Sequence, residues 1–472
     1  MHAERHGRRP TRPRGGVAVR YDESNAELLA SQRRRESSAR TYPRSLPFAV
    51  ERARGLELTD ADGNDYLDCL AGAGTLALGH NDPEVTAELE RLLAEDRPLH
   101  TLDITTPEKE AFVDALFDSL PDGFASRAKV QFCSPAGTDA IEAALKLTKT
   151  ATGNRSVLAF QGGYHGMTNG ALSLMGDTDA KEPVPGLMPD VHHLPYPDPY
   201  RHPFGLAPGE HESVSRFAER AIADPESGIA DPAAAVLELV QGEGGVNPAP
   251  DEWVREVRRI TREHDVPMVV DEIQTGLGRT GETWSFEHAG VVPDVITCSK
   301  AVGGGLPLSV VVYDEELDVW EPGAHAGTFR GHQLAMAAGR VTIRRVLAED
   351  LDEHAAAMGE RLREPLESLA ARFDAVGDVR GRGLMLGVEF VDPEAGTDDG
   401  DLPPPPDGDL ASAVKAACFD RGLVIETGGR DSAVARFLPP LVVTREQVDE
   451  IAARFGEAVE AALAADGPEV AA

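Results

Sequence analysis

The sequence predicts an α/β fold built on a large, mostly parallel β-sheet covered on both faces. Short apolar or β-branched runs recur through the middle of the chain, and helix-patterned stretches lie between several of them. The runs are apolar throughout rather than alternating, as strands buried on both faces are. Most of them also end directly in a glycine-rich or polar turn. In such sheets ligands bind beyond the carboxyl ends of the strands, so the turns are where chemistry is to be sought.

Length and composition allow this architecture. The chain has 472 residues, ample for burying a core, with 41% hydrophobic and 27% charged residues. That mix excludes a wholly disordered chain, a collagen or a coiled-coil rod. The balance of 46 basic and 80 acidic residues leaves a net charge of −34, a surface that repels nucleic acid and anionic membranes. No apolar run approaches the roughly 18–20 residues of a membrane helix. The Arg-rich N-terminus has no apolar stretch after it and so is not a secretory signal. Cys69, Cys133, Cys298 and Cys418 are scattered without CxxC pairing. They read as reduced thiols of a cytoplasmic protein, not as a disulfide or metal framework.

In chain order, residues 1–20 are basic and poor in apolar side chains, and are expected to be a disordered tail. Strands are expected at Lys129–Cys133, Ser156–Phe160, Ala235–Val240, Pro267–Val270, Val295–Thr297 and Leu308–Tyr313, with helices such as Thr138–Thr150 and Glu252–His264 between them. The stretch 393–408, PEAGTDDGDLPPPPDG, reads as a surface loop.

The turn after Cys133 holds Ala136, Gly137 and Thr138 ahead of a helix. Small residues and a hydroxyl there suit a phosphate, because free N–H groups and the positive dipole end point outward. A plain helix cap is the simpler reading of Thr138. After Phe160 comes Gly162-Gly163-Tyr164-His165-Gly166, in which Tyr164 either stacks on a planar ring or packs. Glu243, in Gln241-Gly242-Glu243-Gly244-Gly245, is either a site carboxylate or a turn residue. Asp271 closes a strand, which suits pairing with a cationic ring nitrogen. Lys300 follows the next strand. Alone it reads as an ordinary amine; a nucleophile with its pKa lowered by burial is the sharper reading. Gly276-Leu277-Gly278-Arg279-Thr280-Gly281 matches GxGxxG literally. No helical pattern follows Gly281, so a dinucleotide site is not expected there.

The order of these parts is more specific than any one of them. A phosphate-type turn and an aromatic turn are followed by a strand ending at Asp271, with Lys300 beyond the next strand. The run VVDEIQTGLGRTGETWSFEHAGVVPDVITCSKAVGGGLPLSVVV resembles the cofactor signature of the class III aminotransferases nearly end to end, and the resemblance extends over about residues 44–454. The stretches ARTYPRSLPFAV, CLAGAGTLALGHNDPEV, LHTLDITTPEKEAF, GLMPDVHHLPYPDPYRHPFG and EPGAHAGTFRGHQLAMAAG resemble the bacterial diaminobutyrate–2-oxoglutarate aminotransferases within that class.

The resemblance implies a fold-type I, pyridoxal 5'-phosphate-dependent transferase acting in the cytoplasm on amino acid and 2-oxo acid substrates. It implies a large cofactor domain at 107–346 and a smaller α+β domain formed by 21–106 together with 347–472. Lys300 matches the lysine that carries the cofactor, and Asp271 the partner of its ring nitrogen. Gln274 matches the residue on its phenolic oxygen, Tyr164 the stacking aromatic, and Ala136, Gly137 and Thr138 the phosphate turn. Thr328 matches a threonine that reaches the phosphate in the neighbouring subunit, implying a homodimer or a dimer of dimers. Arg436 matches the arginine for the substrate α-carboxylate, and Glu243 the glutamate that pairs with it. His165 is read as structural. One departure stands out: relatives of the ornithine and 4-aminobutyrate type carry an arginine where this chain has Met167. Arg330 is the expected substitute for holding the distal carboxylate of glutamate.

Overall fold

The computed structural model describes residues 23–206, 210–395 and 402–466. The basic stretch 1–20, and residues 396–401 of the expected loop, lie outside them. The central element is a seven-stranded sheet. Its order is Ala128–Phe132, Val310–Asp314, Val295–Cys298, Met268–Asp271, Pro232–Leu237, Ser156–Phe160 and Val191–Leu194. Val310–Asp314 runs antiparallel to both of its neighbours; the other pairings are parallel. Six strands therefore point the same way, and their carboxyl ends share one edge.

Alternation along each strand buries both faces. Val157, Ala159, Val236, Val269, Val295 and Val311 pack with Ile141, Ala144, Leu145 and Leu147 of the helix Gly137–Thr152. Their sequence neighbours Leu158, Phe160, Leu237, Val270, Ile296 and Val310 join the larger core on the other side. The helix Asp251–Glu263 shows how sequence spacing makes this cover. Trp253, Val254, Val257, Ile260 and Thr261 fall on one face and are buried. The Trp253 ring meets Phe160 and Tyr196 edge-on or tilted, at centroid distances of 5.4 and 5.5 Å.

A second, antiparallel sheet of Val376–Arg382, Met385–Phe390, Val434–Phe437 and Glu426–Gly428 carries the C-terminal part. The helices Leu351–Ala370, Gly408–Asp420 and Arg445–Asp466 lie with it. The N-terminal strand Asp65–Asp68 pairs in parallel with Leu423–Val424, so the two ends of the chain are woven together. Among the described residues no helix is long and apolar enough to cross a membrane.

Two expectations need correction. Val191–Leu194 is an edge strand that the apolar pattern did not predict; it reads Val-His-His-Leu and only Leu194 is buried. The strand expected at 235–240 begins at Pro232 and ends at Leu237. Beyond it, Glu238 accepts backbone N–H groups from two turns, and Val240–Gln241 pairs instead with Asn247–Pro248. The GxGxxG run forms turns, followed by the short 3-10 helix Ser285–Glu287 and not by an α-helix. Its Arg279 is buried between the carbonyls of Leu384 and Pro439, and a side chain at Gly276 would meet Trp284 at 2.8 Å. Those glycines serve packing.

Candidate active site

Asp271, at the carboxyl end of its strand, is 4% exposed. Its Oδ1 accepts from the Ile273 N–H at 3.1 Å and from the Thr297 hydroxyl at 3.2 Å, across the strand register. Its Oδ2 accepts from His165 Nδ1 at 2.8 Å. Burial alone would depress the imidazole. The Asp271 carboxylate outweighs it and holds His165 above its ordinary pKa. His165 is thus an orienter of Asp271 as well as a packed residue, an assignment that sequence reading missed.

Lys300 follows the neighbouring strand Val295–Cys298 and opens a short 3-10 turn, Lys300–Gly303. Its φ is 48°, a left-handed conformation that disfavours a side chain, by about 1 kcal/mol or more. The bond from Val302 N–H to the Ser299 carbonyl holds it there. Burial pushes the Lys300 amine down to about 8, against the pull of Glu243 and Asp271 and with help from Arg436.

On the same edge the helix Gly137–Thr152 presents its N-terminus. Asp139 accepts from Ala136 N–H at 3.0 Å, which shapes the turn. The Thr138 hydroxyl pairs with that of Thr168 at 2.7 Å. Closeness here demands glycine: a Cβ on Gly137 would meet Ile273 at 2.9 Å, and one on Gly166 would meet Thr138 at 2.5 Å. The first turn of an α-helix leaves its N–H groups unpaired, so this cradle suits an anion. Gln274, one turn beyond Asp271, donates its amide to the Ala73 carbonyl at 3.1 Å. Residues Ala71 to Gly74 all have positive φ, which brings that carbonyl round to the site.

These groups fit pyridoxal phosphate at three ends. A buried carboxylate suits its protonated ring nitrogen, a depressed amine suits its aldehyde, and a helix N-terminus suits its phosphate. Tyr164 lies on the turn after Ser156–Phe160, its ring partly exposed.

Next to this cluster Arg436 is buried, and it forms a two-armed pair with Glu243 at 2.8 and 2.9 Å. Arg436 stands in the strand Val434–Phe437, where its backbone is paired with Glu426. A planar fork of this kind matches any carboxylate, so a substrate can replace the Glu243 partner.

Thr328 is exposed on the 3-10 turn Thr328–Arg330. Arg330 is buried in the chain. Charged and polarisable groups near it include Cys133, Asp103 and His325, and among the described residues its Nε and one terminal nitrogen have no partner. A Cβ on Gly327 would lie 3.1 Å from that Nε and 3.4 Å from Ser134 Oγ. Within one chain Arg330 thus lies near the start of the phosphate turn. Met167 is 57% exposed.

Comparison with known proteins agrees with this geometry. The family model described as aminotransferase class-III matches residues 38–459. A diaminobutyrate–2-oxoglutarate aminotransferase of Rhizobium meliloti is 54% identical, covering 92% of this chain and 93% of that protein. Its namesake from Haemophilus influenzae is 46% identical, covering 93% and 96%. A solved amine transaminase from an uncultivated Pseudomonas species, in its PLP-bound form, superposes with a TM-score of 0.79 at 28% identity, covering 92% and 98%. The ornithine aminotransferase of Toxoplasma gondii gives 0.80 at 26%, covering 94% and 96%.

Proposed function

Because the chain belongs to the class III aminotransferases, we propose that it uses pyridoxal phosphate to convert L-glutamate and L-aspartate 4-semialdehyde into 2-oxoglutarate and L-2,4-diaminobutyrate, reversibly and by a ping-pong route. The observation that carries the substrate reading is the Arg436–Glu243 pair beside Lys300. The two half-reactions make opposite demands on one pocket. Glutamate presents an α-carboxylate beside the reacting amine, whereas diaminobutyrate reacts through its terminal amine. Arg436 serves the first once Glu243 swings away, and Glu243 masks Arg436 for the second.

When bound, pyridoxal phosphate supplies an aldehyde carbon that takes up the amino group and a ring that accepts electron density from the substrate carbon. The chain's own groups do the rest. Asp271 keeps a proton on the ring nitrogen, and His165 fixes the Asp271 carboxylate in place. Lys300 Nζ moves the proton to and from the substrate carbon as general base and acid. Gly137 and Thr138 would hold the phosphate, Tyr164 would cover the ring, and Gln274 would serve its phenolic oxygen.

We also propose a homodimer, in which Thr328 reaches the phosphate in the second copy. Its exposure on a turn flanked by the outward-facing Phe329 supports this. On that reading Thr328→Ala weakens cofactor binding about tenfold while sedimentation still shows a dimer; unchanged cofactor affinity removes the cross-subunit contact. The four free, buried cysteines support a cytoplasmic location.

The test of function is a single-turnover panel of 2,4-diaminobutyrate, glutamate, ornithine and 4-aminobutyrate, followed by the cofactor's visible absorbance. Fast conversion by the first two alone is expected. Glu243→Ala should slow diaminobutyrate about tenfold or more with little effect on glutamate, since only the diamine needs the arginine masked. Fast conversion by ornithine or 4-aminobutyrate instead would overturn the substrate while leaving the cofactor chemistry in place.

A further inference from the structure

Glu238 lies just past the end of the strand Pro232–Leu237 and is 7% exposed. Its two oxygens serve two separate turns: Oε2 accepts from Tyr164 N–H at 2.8 Å, and Oε1 from Gly242 N–H at 3.0 Å. The first turn carries the residue expected on the cofactor ring face. The second carries Glu243, the partner of Arg436. Behind Glu238, the Tyr196 hydroxyl donates to its backbone carbonyl at 3.2 Å, which ties the residue to the core.

We propose that Glu238 is a positioning residue of the transamination site, a two-oxygen clamp that holds the Tyr164 turn and the Gly242–Glu243 turn in register across the Asp271–His165 pair. This rests on the functional reading above. Only a carboxylate meets both demands. A neutral amide has one acceptor oxygen, and its NH₂ would face an N–H donor. An aspartate is one methylene too short to serve both turns.

The groups facing Glu238 are His165, Asp271, Tyr164, Tyr196 and Lys300. Burial pushes its carboxyl up to about 7, with His165 opposing and Asp271 adding to the rise. A residue that merely filled space would not be a carboxyl at that cost. The clamp also couples the two ends of the reaction, because a shift of either turn changes the ring face and the arginine mask together.

The experiment compares wild type, Glu238→Gln and Glu238→Asp. Hydrogen exchange of the segments containing Tyr164 and Gly242 is read on the protein without cofactor. The pH midpoint of the visible absorbance and the glutamate-to-diaminobutyrate half-reaction ratio are read on the loaded protein. Glu238→Gln is expected to speed exchange about tenfold in at least one segment, to lower the midpoint, and to shift the ratio several-fold. The midpoint falls because a negative charge that favours the protonated form near Lys300 is gone. Glu238→Asp keeps the charge, so it should hold the midpoint while losing protection in one segment. Should the glutamine variant fail to fold, the aspartate variant decides alone: wild-type exchange in both segments overturns the clamp. A lower melting temperature with exchange, midpoint and ratio unmoved reduces Glu238 to a structural residue and overturns the proposal. A wild type that forms no borohydride-fixable adduct with pyridoxal phosphate would sink the functional reading instead, and the two failures are told apart in that first control.

Discussion

Lys300→Ala should abolish the borohydride-fixable cofactor adduct and cut multiple turnover by at least about 10⁴-fold. Two losses combine in this one change: the covalent anchor of the cofactor and the proton carrier at the substrate carbon. The fold should survive. Lys300 belongs to none of the apolar core clusters, and alanine can hold the left-handed φ of 48° at similar strain. The cofactor should still bind, held by the Gly137–Thr138 turn and by Asp271, but without the absorbance change of a covalent link. The wild-type residue makes a second, pH-dependent statement. With the amine pushed down to about 8, its neutral, nucleophilic fraction falls tenfold for each pH unit below that value. Capture of pyridoxal phosphate by the cofactor-free protein should therefore speed up as pH rises toward 8 and level off above it. A capture rate that climbs on to pH 10 would give Lys300 an ordinary amine, and normal turnover in Lys300→Ala would remove it from catalysis.

Most of the sheet was readable because its strands obey a local rule. Met268–Asp271 and Val295–Cys298 are apolar runs stopped by polar residues, and burial on both faces requires such runs. The helix Asp251–Glu263 was equally readable from its spacing. Val191–Leu194 was not, because an edge strand needs apolar side chains on fewer positions and two histidines satisfy it. The reactive groups were legible for a related reason. Asp271 closes one strand and Lys300 lies two residues beyond the end of the next, so their place near the sheet edge follows from the strand assignment.

The contacts that support them were not legible, because the partners are distant in sequence. His165 meets Asp271 across 106 residues, Glu238 meets Tyr164 across 74, and Gln274 meets Ala73 across 201. No local pattern records such contacts; they are properties of the turns being folded onto one edge. Arg330 shows the converse. Sequence placed it beside Thr328 as the group for the distal carboxylate of glutamate; what the local sequence did not record is that one turn of 3-10 helix leaves Thr328 exposed and Arg330 buried.

Asp271→Asn isolates charge from shape. Asparagine keeps an oxygen for the Ile273 N–H and the Thr297 hydroxyl, now bonded to Oδ1 at 3.1 and 3.2 Å, so the strand end and the melting temperature should change little. The opposite position becomes an NH₂ group facing His165 Nδ1 at 2.8 Å, and the imidazole must turn from donor to acceptor there. That switch is open only to the neutral ring. His165 loses the carboxylate that held its pKa up, and burial then favours the neutral form. The pair thus loses its carboxylate, and what remains beside the imidazole is a neutral amide. Bound pyridoxal phosphate would then lack the anion proposed to keep its ring nitrogen protonated, and so would be a weaker sink for charge developing at the substrate carbon. Removing one preorganised electrostatic partner costs about 10²–10³ in rate. Here the partner also sets the protonation state of the ring, so the loss should reach or exceed the upper end. Single-turnover absorbance with glutamate measures it directly, in a variant that still binds cofactor and still forms the borohydride-fixable adduct through Lys300. A near-wild-type rate in that variant would take Asp271 out of the mechanism, since asparagine preserves its bonds to Ile273 and Thr297 and removes the charge.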